Sequence, residues 1–255
     1  MSNIDTKNEI LKRNIPFSPP DISELEIAEV AEALRSGWIT TGPRTKELER
    51  RLAEYCHTSR AVCLNSATAA EELNFRICGI GDGDEVIVPS YTYTASASAA
   101  IHCGAKVIFV DSQKDSTEMD YDKVAEVITE KTKAVVAVDL GGIICDYDKL
   151  YAAVESKKHL FRAKEGDSLG ARIQQSIGRV IVFADCAHAL GASRNGKMAG
   201  EIADFSDFSF HAVKKLYYSR GGEQVLGEIS KELILRRFIN SSNYTVYMDK
   251  VKMLL

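Results

Sequence analysis

The chain has 255 residues, 45% of them hydrophobic and 27% charged, with a net charge of −4 at neutral pH. That length fits one large α/β domain or two modest ones, and the residue balance is that of a chain with a sizeable packed core. The charge excludes a global basic field for nucleic acid, and the composition excludes a strongly acidic, unfolded chain.

Met1 to Asn14 is polar and charged without an apolar run, so no secretory signal is expected. No apolar stretch reaches the length of a membrane span. The cysteines at 56, 63, 78, 103, 145 and 186 form no CxxC pair, and three of them lie in or beside apolar runs. Reduced, mostly buried thiols in a cytoplasmic protein are the expectation.

Asp21 to Arg35 carries an N-cap candidate and apolar residues at helical spacing, Ile22, Leu25, Ala28, Val30, Ala31 and Leu34, which predicts an amphipathic helix. "SGWITTGP" breaks it, and a second helix starts in "RTKELERRLAEYC". Strands and helices then alternate. The apolar runs at 61–65, 85–90, 106–111, 133–139 and 179–185 read as strands. The segments from Ser66, from Thr94 and over 146–159 read as helices, and 161–178 as an insertion. Apolar runs without alternation, separated by helices, suit a mainly parallel sheet sandwiched by helices. Residues 20–222 are therefore expected to form one doubly wound α/β domain, after an N-terminal arm at 1–19 and before a C-terminal segment at 223–255.

Ligands of such sheets lie beyond the carboxyl ends of the strands, and several reactive residues sit there. Ser66, Ala67 and Thr68 form a turn entering a helix, whose amides and hydroxyls suit a phosphate; packing alone also explains small residues at this place. Tyr91 and Tyr93 follow the next strand, where a ring could stack on a flat cofactor or simply pack. Asp185 ends an apolar run and needs a partner for its desolvated carboxylate. A protonated pyridine nitrogen, a metal ion or a helix N-terminus would each serve, although His211 is the one further metal ligand in view. His188 follows three residues later. The stretch "FSDFSFHAVKK" alternates, so a strand leads into a turn that holds His211, Lys214 and Lys215. A lysine packed against aromatics loses hydration, which disfavours its charged form and makes it a better nucleophile toward carbonyls.

Taken in order, "SGWITTGP", "NSATAA", "GDGDEVIVPSYTYTASASA", "GAKVIFVD", "DCAHALGA" and "DFSFHAVKKL" resemble the DegT/StrS family of sugar aminotransferases, which are fold-type I enzymes dependent on pyridoxal 5′-phosphate (PLP). The resemblance implies a PLP-binding large domain and a role for each residue. Lys214 matches the Schiff-base lysine and acid–base group, and Asp185 the carboxylate that keeps the pyridine nitrogen protonated. His188 matches a position close to the ring, and Tyr93 the stacking aromatic. Ala67, Thr68 and Ser209 match the phosphate contacts. It further implies a homodimer that takes an amino group from an amino acid, usually glutamate, and passes it to the keto group of a nucleotide-linked deoxysugar. No metal is implied.

The pattern also departs from the family. Glu71 stands where an apolar residue is common, Arg220 replaces a glutamate, and the region after Lys214 does not match the family's small domain. These departures carry an alternative, a truncated non-catalytic domain acting as a binding or regulatory module. A nicotinamide-binding doubly wound protein is disfavoured, because "GIGDGD" precedes a strand and does not follow one.

Overall fold

The computed structural model describes residues 22–211 and 245–249. Its centre is a seven-stranded sheet of β1 (Arg60–Leu64), β2 (Glu85–Pro89), β3 (Lys106–Val110), β4 (Thr132–Val138), β5 (Ile181–Asp185), β8 (Phe205–Ser209) and β9 (Thr245–Asp249). A separate hairpin joins β6 (Ser193–Arg194) to β7 (Lys197–Met198). The order across the sheet is β1-β9-β8-β5-β4-β2-β3. Pairings from β3 to β8 are all parallel, whereas β9 runs antiparallel to both β1 and β8. Six strands therefore point the same way, and the winding reverses between β2 and β4.

The helices are α1 (Glu24–Arg35), α2 (Pro43–Tyr55), α3 (Ala67–Ile77), α4 (Ala95–His102), α5 (Tyr121–Val127), α6 (Tyr147–Ser156) and α7 (Leu169–Ile177). They cover both faces of the sheet, and strand alternation divides the core in two. Ile87, Val135, Ala137, Val182 and Phe208 face α2, α5 and α6, together with Leu48, Leu52, Val124 and Leu150. Val86, Val88, Ala134, Val136, Ile181, Phe183 and Phe205 face α3, α4 and α7, with Phe75, Ala99 and Ala100. On that second face Phe183 stacks on Phe205 at 5.4 Å between centroids and meets Phe75 edge-on at 5.2 Å. Covering on both faces is why the inner strands read as unbroken apolar runs. The edge strands β1 and β3 are only partly buried, as fewer neighbours allow.

Four features differ from the expectations drawn from the sequence. Helix α1 starts at Glu24, capped by Ser23, and the side it buries carries Glu26 and Ala33. Leu25, Ile27 and Leu34 point to solvent, because spacing predicts a stripe but not what will cover it. The stretch taken for an insertion holds α7, which Ser168 caps and left-handed Gly178 ends. The seven-residue α5, capped by Asp120, was too short to show a period. Finally, β9 belongs to the segment divided off at 223, yet it lies between β1 and β8. No helix among the described residues is long and apolar enough to cross a membrane.

α7 is seated on the end of α3 by a close glycine contact. A Cβ on Gly170 would lie 2.6 Å from backbone atoms of Gly79, while Gln174 Nε2 donates to the Cys78 carbonyl at 2.7 Å. Alanine normally stabilises a helix relative to glycine by about 1 kcal/mol. Here the sign reverses: Gly170→Ala is expected to lower the unfolding free energy by about 1–3 kcal/mol, read as a lower midpoint in urea.

Candidate active site

Because six strands are co-directional, their carboxyl ends open on one edge, and a cavity of about 420 Å³ lies there. Its walls come from the segments after β1, β2, β4, β5 and β8. They include Ala67, Thr68, Tyr93, Asp139, Asp185, His188 and Ser209.

At one wall β1 ends and α3 begins. Ser66 is the N-cap, with an extended backbone and a hydroxyl that accepts from the Ala69 amide at 3.1 Å. Ala67 and Thr68 start the helix, where amides have no intrahelical acceptor and the helix dipole is positive, so an anion is favoured there. Ser209, at the end of β8, lines the same cavity.

Another wall holds Asp185, 6% exposed. Its Oδ2 accepts from the Ser96 hydroxyl at 3.0 Å, and its Oδ1 from the Ala187 amide at 3.0 Å. The Ser96 hydroxyl is also 2.9 Å from that of Thr92. The two donors fix both carboxylate oxygens at the wall of the cavity. Ser96 was invisible as a functional residue in the sequence, lost in the small-residue run "TASASAA".

His188 is half-buried, and its Nδ1 accepts from the Gly141 amide at 3.3 Å. Gly141 adopts φ +64° within a 3-10 turn (Leu140–Gly142), a left-handed conformation that suits glycine. With Nδ1 as acceptor, the neutral ring carries its proton on Nε2. Tyr93 lines the cavity but is 74% exposed. Its ring is available to a ligand and is not part of the core. Lys214, Lys215 and Arg220 lie outside the described residues, as does residue 21.

Three acids came into the site without being predicted for it, Asp139, Asp207 and Glu71. Asp139 closes β4 as Asp185 closes β5, and its amide donates to the Asp185 carbonyl at 2.9 Å. It is fully buried, and burial pushes its carboxyl up to about 6, against the pull of hydrogen bonds from the Cys145 amide, the Cys186 thiol and Tyr147. Asp207, 1% exposed, joins Asp185 and Glu71 in a cluster whose carboxylate oxygens lie within 4.8 Å of one another. The sequence offered His211 as a further metal ligand near Asp185; it lines the same cavity, and the fold sets two more carboxylates against Asp185. Among the six cysteines, all free thiols, Cys56, Cys78, Cys145 and Cys186 are buried.

The donor set fits a flat, phosphorylated ring with a protonatable nitrogen. It offers a helix N-terminus for the phosphate, a buried carboxylate for the nitrogen and an accessible aromatic for the face. A metal would find oxygens beside Asp185 but no nitrogen or sulfur ligand in that cluster.

Comparison with known proteins is decisive on lineage. Residues 20–179 and 171–233 match the DegT/DnrJ/EryC1/StrS aminotransferase family. The chain belongs to that family. It is 36% identical over 215 residues to the spore coat polysaccharide biosynthesis protein SpsC of Bacillus subtilis, covering 84% of this chain and 50% of that protein. It is 36% identical over 208 residues to UDP-4-amino-4-deoxy-L-arabinose–oxoglutarate aminotransferase of Shewanella sediminis, covering 82% and 48%. Among solved structures, "Putative sugar aminotransferase Spr1654 from Streptococcus pneumoniae, PLP-form" superposes with a TM-score of 0.80 at 47% identity, covering 95% of this chain and 55% of that one. The same protein is also known in a PMP form and an apo form. This family member spans about half the length of the curated relatives it matches.

Asp139 makes the site's stability pH-dependent. A carboxyl that holds its proton more tightly when folded stabilises the fold most below about pH 4, and this contribution is lost as the pH rises to about 6. Relative to Asp139→Asn, the wild type should lose about 3 kcal/mol between those limits and no more above them, measured by urea unfolding at a series of pH values.

Proposed function

We propose that the chain binds PLP in this cavity and transfers an amino group from an amino acid, glutamate, to the keto group of a nucleotide-linked deoxysugar. The observation that carries the reading is one cavity bounded by the N-terminus of α3 and by a buried carboxylate, Asp185, whose two oxygens are each held by a donor. Family membership and the relatives' printed names support the same chemistry.

Bound PLP supplies an electron sink and a temporary carrier for the amino group. The chain's residues have the following tasks. Ala67, Thr68 and Ser209 bind the phosphate, and Asp185 holds the ring nitrogen protonated, with Ser96 and Ala187 fixing its carboxylate. Tyr93 would stack on the ring, and His188, held by Gly141, would stand close to it. Lys214 would hold the cofactor covalently and serve as the acid–base group at its amine. Residues 20–222, with β9 completing the sheet, form the cofactor-binding unit. The protein acts in the cytoplasm as a homodimer; the exposure of Tyr91 and Tyr93 supports a second copy covering that edge.

Protein purified with PLP is expected to show a visible absorption band that borohydride fixes covalently and that Lys214→Ala abolishes. Glutamate should then bleach this band as the amine form of the cofactor accumulates. Absence of the band in wild type would overturn the reading. A band that glutamate leaves unchanged would favour the binding-module alternative.

A further inference from the structure

The segment that follows β5 meets the loop that follows β4 at two points. At the first, His188 Nδ1 accepts from the Gly141 amide at 3.3 Å. At the second, Arg194 Nη1 donates to the Ile144 carbonyl at 2.6 Å. Between these points the loop runs through Gly141 and Gly142, at φ +64° and +80°. Glycine prescribes little of a backbone's path, so such a loop takes its shape from whatever holds it.

Arg194 is placed to be the holder. It ends β6, and Asn195 and Gly196, at φ +54° and +77°, turn the chain straight back into β7. A two-residue turn with both φ positive fixes the register of a hairpin, here with Arg194 opposite Lys197. The guanidinium also faces two carboxylates. Nη1 is 3.3 Å from each oxygen of Glu118, and Nη2 is 3.3 Å from Asp146 Oδ2. Those acids are tied to the loop in turn: Glu118 Oε2 accepts from the Asp146 amide at 2.9 Å, and Asp146 Oδ1 accepts from the Lys149 amide in the first turn of α6. A planar fork that reaches a carbonyl and two acids at once is geometry that arginine has and lysine lacks.

The inner side of the loop is pinned as well. The Cys145 amide donates to Asp139 Oδ1 at 2.9 Å, and that N–H belongs to the same peptide as the Ile144 carbonyl. One peptide plane is therefore held from both sides, by buried Asp139 and by Arg194, three residues beyond the amide that meets His188.

We propose that Arg194 is a positioning residue for His188: by locking the Ile144–Cys145 peptide against Asp139, it keeps the Gly141 amide on His188 Nδ1 and so holds the imidazole in the tautomer protonated at Nε2. The role of His188 beside the cofactor rests on the function proposed above; the hold on its ring does not.

The first measurement uses the cofactor-free full chain labelled with nitrogen-15 histidine, at about pH 8, where an ordinary imidazole is neutral. The His188 ring nitrogens, assigned with His188→Ala, should report one tautomer, protonated at Nε2. Arg194→Met should move them toward an average of both tautomers, and Arg194→Lys, which keeps the charge without the fork, should fall between. The second measurement is PLP affinity across a double-mutant cycle. Arg194→Met should weaken PLP binding about three- to tenfold when His188 is present and leave it unchanged in the His188→Ala background, since residues that act through one another are not additive. A general structural role for Arg194 would cost the same in both backgrounds. An unchanged His188 tautomer in Arg194→Met, a wild-type ring protonated at Nδ1, or an equal loss of PLP affinity in both backgrounds would each overturn the proposal. If Arg194→Met fails to fold, Arg194→Lys takes its place in both measurements, and wild-type behaviour of that variant overturns the proposal. If the wild type does not bind PLP, the functional reading fails, and the tautomer measurement still decides the role of Arg194.

Discussion

The site depends on one constraint: a buried carboxylate at the end of a strand covered on both faces must find hydrogen-bond donors. Asp185 follows four apolar residues of β5 and is itself 6% exposed. Burying such a polar group is costly unless donors replace the water it loses. The donors come from outside its own strand. The Ser96 hydroxyl reaches across from α4, and the Ala187 amide folds back from the loop that follows. Each fixes a different oxygen, so the carboxylate is oriented as well as satisfied.

The sheet makes this convergence possible. Only a run of co-directional strands gathers the ends of β4, β5 and β8 and the start of α3 at one edge. The antiparallel strand β9 sits between β1 and β8 without breaking that pattern, so α3 starts on the same edge as Asp185 although β1 is far from β5 across the sheet. The start of β8 is anchored independently. Arg179 makes a two-pronged ion pair with Asp204 at 2.7 and 2.9 Å, and Asp204 also accepts from the Val182 amide. This clamp sets β8 against β5, so that Asp207 pairs with Asp185 in register. The acidic cluster thus follows from strand register, with Glu71 added from the helix above.

Much of the architecture could be read from the chain. Unbroken apolar runs marked β2, β4 and β5, because strands covered on both faces need no alternation. Helices with a cap and three turns were equally plain. Short or non-local elements were not legible: α5 spans seven residues, the β6–β7 hairpin six, and β9 gains its place by pairing with strands 36 or more residues away. For α1 the period was right, but the buried residues proved to be Glu26 and Ala33. Periodicity reports a stripe and says nothing of its cover.

The same division applies to the site. Chain order and residue type by themselves singled out Asp185, His188, Tyr93, Ala67 and Thr68, since each follows a strand or opens a helix where ligands of parallel sheets lie, while Ser209 entered through the family resemblance. The sequence also marked Glu71 as out of place, without saying what it would meet. Only the tertiary structure decided that Ser96 would hold Asp185, that Gly141 would set the ring of His188, and that Glu71 and Asp207 would converge on the same carboxylate. Those contacts join residues 22 to 136 positions apart, and neither local spacing nor propensity encodes them. They arise from how strands register and which helix lies above them, and that is settled by packing the whole sheet.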